Sequence, residues 1–82
     1  MIVLGIDPGT AVTGFGVVRG DGRGMPSLVE CGVIRTSARS PLPDRLLEIH
    51  EGVAELLARH RPDMVAVEGI FYARNVRTTV VL

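Results

Sequence analysis

Hydrophobic and polar positions divide the chain into short runs with two different periods. Ile2 to Ile6 is a continuous apolar run that ends on an acid, Asp7. Pro8-Gly9-Thr10 follows at once and carries turn chemistry. Thr13 to Val18 is rich in Gly and β-branched residues and predicts a second strand. Gly20, Asp21-Gly22 and Gly24 mark the next turn. Ser27 to Thr36 predicts a third strand: Val29, Cys31 and Val33 alternate with Leu28, Glu30 and Gly32, and Ile34 makes both faces partly apolar. Joined by such short turns, the three strands form an antiparallel meander.

After a loop with two prolines, Ser37 to Pro43, the period changes. Leu42, Leu46, Ile49, Val53, Leu56 and His60 step by fours and threes, with Leu57 widening the stripe, which predicts an amphipathic helix. Pro43 suits its first turn and Asp44 its positive end. Arg59, His60 and Arg61 crowd its negative end, and Pro62 stops it. Glu48, Glu51 and Glu55 fall mostly off the stripe and read as a solvated face. Met64 to Val67 is then a short apolar strand that ends on Glu68, and Gly69 breaks it. Ile70-Phe71-Tyr72 places two aromatics just past the acid, and the residues from Ala73 predict the start of another helix, with no stop signal before Leu82.

Strand three, the helix and strand four make a βαβ unit, so strands three and four run parallel with a right-handed crossover. Strands one, three and four therefore point the same way. One side of strand one is taken by strand two, which leaves the other side for strand four. The carboxyl ends of strands one and four then lie together where the strand order reverses, the place at which open α/β sheets hold ligands. Asp7 and Glu68, 61 positions apart, converge there. An Asp before Pro-Gly is also a common turn-former, and a Glu at a strand end is often merely solvated. Two carboxylates facing one cleft, however, repel unless a proton or cation lies between them. Mg²⁺ is the expected cation: it takes oxygen ligands and binds through one or two carboxylates plus substrate phosphate.

Composition narrows the class without choosing the chemistry. Eighty-two residues allow one small domain. A hydrophobic content of 46% with 22% charged residues is globular rather than disordered. Nine cations, all Arg, balance nine acids, so no global attraction to nucleic acid exists, although Arg74 and Arg77 follow Glu68 with no further acid. Cys31 stands alone, so an internal disulfide is excluded and a buried reduced thiol is expected. His50 and His60 lack metal-ligand spacing. No run approaches the about 20 apolar residues of a membrane span, and Asp7 interrupts the only apolar start, so a cytoplasmic protein is expected.

Gly5-Ile6-Asp7-Pro8-Gly9-Thr10 with Thr13-Gly14-Phe15-Gly16-Val17-Val18 resembles the opening of the RuvC-type Holliday junction resolvases. Leu46-Leu47-Glu48-Ile49-His50, Val65-Ala66-Val67-Glu68, Phe71 and Asn75-Val76-Arg77-Thr78 continue the likeness in order through the whole chain. The resemblance implies a ribonuclease H-like mixed α/β sheet and a homodimer. It also implies symmetric, Mg²⁺-dependent nicking of four-way junction DNA in recombination and repair, with Mn²⁺ as a possible substitute. Residues 1–82 would be the amino-terminal part of a single nuclease domain, cut before its fifth strand, with the branch-migration proteins RuvA and RuvB as partners and no membrane. Asp7 and Glu68 take the places of the family's first two catalytic and metal-binding carboxylates. Phe71 takes the place of an aromatic that stacks in the opened junction, and Arg74, Asn75 and Arg77 are expected on the DNA. Gly69, where relatives often carry a larger polar residue, is a small departure. The family's third and fourth site residues, an acidic pair or a His and an Asp on a later helix, have no counterpart here, so the 82-residue chain alone is expected to be inactive.

Two other classes open similarly. Phosphotransfer ATPases of the actin and sugar-kinase type begin with a strand, an Asp and a Gly-Thr turn, so Asp7, Gly9 and Thr10 could instead serve ATP phosphates. A non-catalytic ribonuclease H-like scaffold would need no chemistry at all. Further acids downstream would favour the nuclease, and a second phosphate-binding Gly-Thr motif the kinase.

Overall fold

The computed structural model describes residues 1–68 and 79–81. Its elements run β1 (Ile2–Asp7), β2 (Val12–Arg19), β3 (Ser27–Arg35), α1 (Leu42–His60), β4 (Met64–Val67) and β5 (Thr79–Val81). They form one mixed sheet in the order β3-β2-β1-β4-β5. β1 pairs antiparallel with β2, and β2 with β3, while β1 and β4 pair in parallel. The meander, the crossover helix and the placement of β4 beside β1 are those expected from the sequence.

The edge beyond β4 departs from expectation. Thr79–Val81 pairs antiparallel with Met64–Ala66 as a fifth strand, where the sequence predicts a helical continuation; the expected helix start at Ala73 lies outside the described residues. The β-branched run Thr79-Val80-Val81 favours extended backbone, and the edge of β4 supplies the ladder groups it needs.

α1 starts and stops where its signals predict. Pro stands in its first turn with Asp44, Arg59 and His60 lie in its last turn, and Arg61 closes it in the left-handed conformation with its N–H on Leu57 O. Leu4, Val17, Leu56 and Val65 form the buried core between sheet and helix, with Ile2, Ile6, Phe15, Ile34 and Leu57 packed around it. The stripe is buried only toward its carboxyl end: Leu42 and Leu46 are both 52% exposed. At that carboxyl end His60 and Arg59 both reach Glu30 of β3, His60 Nε2 at 2.5 Å and Arg59 at 3.4 Å. Among the described residues nothing covers the sheet face opposite α1.

Candidate active site

The site is built by the register of β1 against β4. Val3 pairs with Met64, Leu4 with Val65, Gly5 with Ala66 and Ile6 with Val67. This register is pinned at its start by Asp63, whose carboxylate accepts the Ile2 N–H at 2.7 Å and whose own N–H donates to Ile2 O at 2.7 Å. The constant offset carries Asp7 opposite Glu68, and the ladder continues that far, because Glu68 N–H donates to Ile6 O at 2.8 Å. Side chains alternate across a sheet, so Asp7 lies on the same face as Gly5, and Glu68 on the same face as Ala66. That is the face turned away from α1, since Leu4 and Val65 point into the core.

Both acids are exposed, and among the described residues neither takes part in an ion pair. They stand at the end of a broad groove of about 870 Å³ whose lining includes Gly5, Gly14, Gly16, Ala66, Cys31 and Val33. The glycines set its depth. A Cβ on Gly16 would meet nothing within 4 Å, and one on Gly14 would come to 3.9 Å from the Asp7 Cβ. Side chains would fit there sterically, so their lack serves to keep the floor low beside the acids.

Hard carboxylate oxygens on two adjacent strand ends, facing solvent, suit a divalent cation that keeps part of its water shell. Among the described residues no group of three or more His, Cys, Asp or Glu comes together, so this chain brings two acids to the place and not a full ligand cage. Phe71, Arg74, Asn75 and Arg77 lie outside the described residues.

Cys31 is a correction: it is exposed on the groove wall rather than buried. The pairing of Gly16 with Cys31 puts it on the face away from α1, which the mixed apolar pattern of β3 does not distinguish. Thr13 carries a role that its strand pattern does not announce. It is fully buried on the helix side of β2, with its hydroxyl bonded to Gly9 in the turn after Asp7. The available signal is the alternation of Thr13, Phe15 and Val17 on one face, because a hydroxyl must find a partner where that face is buried.

A mixed sheet of this order, with a helical crossover between β3 and β4 and acids at the carboxyl ends of β1 and β4, is the ribonuclease H-like arrangement. Within it, the family model for crossover junction endodeoxyribonuclease RuvC matches residues 3–82, and the chain belongs to that family. It is 45% identical over 80 residues to RuvC of Pelotomaculum thermopropionicum, a match covering 98% of this chain and 48% of that protein. It is 52% identical to RuvC of a Parafrankia species, covering 98% and 45%. Among solved structures, Thermus thermophilus RuvC in complex with a Holliday junction substrate superimposes with a TM-score of 0.79 at 41% identity, covering 95% of this chain and 47% of that one. The chain thus spans about half the length of the relatives it matches. Membership of this family does not favour the actin and sugar-kinase alternative.

Proposed function

We propose that the protein is a structure-selective endonuclease that resolves four-way DNA junctions by metal-dependent phosphodiester cleavage. The observation that carries this reading is the convergence of Asp7 and Glu68, exposed on one face at the carboxyl ends of adjacent parallel strands, in a chain of the RuvC family. The Thermus relative bound to a Holliday junction substrate supports the substrate class.

Asp7 and Glu68 are the residues that would hold a divalent cation, Mg²⁺ with Mn²⁺ as a substitute. Such an ion, when bound, supplies a polarised water and charge stabilisation at the scissile phosphate. The chain's own contribution is positional. The register of β1 and β4 holds the two carboxylates side by side, and the glycine floor lets a sugar-phosphate backbone approach them closely. Phe71, three positions after Glu68, stacks on a base unpaired at the junction centre, while Arg74, Asn75 and Arg77 hold flanking phosphates, which position DNA without reading its sequence. Residues 1–82 form the amino-terminal part of one nuclease domain. Two copies acting as a homodimer account for symmetric nicking, with RuvA and RuvB as partners in a cytoplasmic complex.

The test is Asp7→Asn in the native protein, which removes charge with little change of shape. Folding and junction binding are expected to persist while Mg²⁺-dependent cleavage is abolished. Wild-type cleavage rates in that variant would refute the assignment.

A further inference from the structure

The turn that follows Asp7 is held from inside the protein. Thr13 is 0% exposed, and its hydroxyl both donates to and accepts from one residue. Its Oγ1 donates to Gly9 O at 2.8 Å and accepts the Gly9 N–H at 3.2 Å. Gly9 in turn has no room for a side chain, since a Cβ there would lie 2.4 Å from Val12 O. The turn is therefore pressed against the start of β2 and tied to it by the buried hydroxyl. On its far side the Thr36 hydroxyl donates to Thr10 O, Thr36 N–H donates to Ala11 O at 3.1 Å, and Arg45 Nε of α1 donates to Thr36 Oγ1 at 3.2 Å. Asp7 is the last residue of β1 and pairs with Gly14, the neighbour of Thr13. The backbone that leaves Asp7 runs directly into this tied turn.

We propose that Thr13 is a positioning residue for Asp7: its hydroxyl locks the Pro8-Gly9 turn so that the Asp7 carboxylate stands beside Glu68 in the geometry a divalent cation requires. The proposal rests on the reading of Asp7 and Glu68 as cation ligands and adds the group that orients one of them. Outer groups that orient a ligand typically change metal affinity by about 10–100-fold when removed.

Mn²⁺ titration of the native protein, followed by paramagnetic broadening of backbone amide signals, tests it together with hydrogen exchange at the Gly9 amide. Thr13→Val keeps the shape but strips Gly9 of both partners. It is expected to weaken Mn²⁺ binding by about 10-fold or more and to speed Gly9 exchange, with the far-UV spectrum unchanged. Thr13→Ser keeps the hydroxyl and should retain wild-type affinity. Where Thr13→Val does not fold, Gly9→Ala, which forces the turn off the Val12 carbonyl without altering the core, must show the same loss. A folded Thr13→Val or Gly9→Ala with wild-type Mn²⁺ affinity overturns the proposal. An Asp7→Asn control separates the two layers: weakening there without weakening in Thr13→Val defeats the positioning role alone, whereas no weakening in Asp7→Asn defeats the cation site itself.

Discussion

Gly52 lies in the interior of α1, where glycine is a poor choice for the helix itself. Replacing it with Ala should favour the helical backbone by about 1 kcal/mol. The packing opposes this. A Cβ at Gly52 would lie 2.8 Å from Ile34 Cδ1, 3.1 Å from Cγ1 and 3.2 Å from Cγ2, so the new methyl meets the whole end of one β3 side chain. Overpacking of this kind costs about 1–3 kcal/mol. Cδ1 is a movable tip, but the two γ carbons are fixed to a β-branched centre with few rotamers. The overpacking term therefore wins, and Gly52→Ala is expected to destabilise the protein by about 1 kcal/mol despite its better helix propensity. The same reasoning makes a second demand. Ile34→Val removes the nearest atom and by itself costs about 0.5–1.5 kcal/mol. Combined with Gly52→Ala it should cost less, with a coupling of at least about 0.5 kcal/mol. Urea unfolding of the four proteins, followed by far-UV circular dichroism, measures the cycle. A Gly52→Ala variant stabilised by the full propensity gain, with additive behaviour in the double variant, would refute the close seating of α1 on β3.

The remaining predictions concern cleavage. In the native protein Phe71→Ala should lower junction cleavage by about 10–100-fold, the worth of one stacked base, with little change in thermal stability, and Phe71→Trp should restore much of it; a sharp fall in melting temperature with cleavage of pre-opened junctions intact would make Phe71 a packing residue. The purified 82-residue chain should not nick a four-way junction in the presence of Mg²⁺, because it brings two carboxylates together where the resemblance to the RuvC-type resolvases implies four site residues; metal-dependent nicking by that chain, free of any longer form, would contradict this.

How much of this was legible in the residues follows from the range of the forces involved. Period and punctuation are local. The alternation of Thr13 to Val18, the stripe from Leu42 to His60 and the stop at Pro62 are written in neighbours, and β2 and α1 formed where these signals stand. Topology was legible too, because the right-handed crossover and short turns leave one arrangement for strands one to four. From it follows the meeting of Asp7 with Glu68 at adjacent strand ends.

What remained for the tertiary structure were choices between faces and partners. β3 is apolar on both sides, so only its pairing with β2 puts Cys31 on the open groove and Ile34 under α1. Glu30 looked like one more polar strand position until the end of α1 brought His60 and Arg59 onto it. The Thr79–Val81 strand exists because β4 offers it an edge, a condition no local pattern records. Thr13 is the sharpest case. The sequence shows only that Thr13 alternates with Phe15 and Val17; the fold decided that this face is buried and that the hydroxyl goes to Gly9, and thereby to the placement of Asp7, since a buried hydrogen bond is satisfied by whichever group the packing delivers.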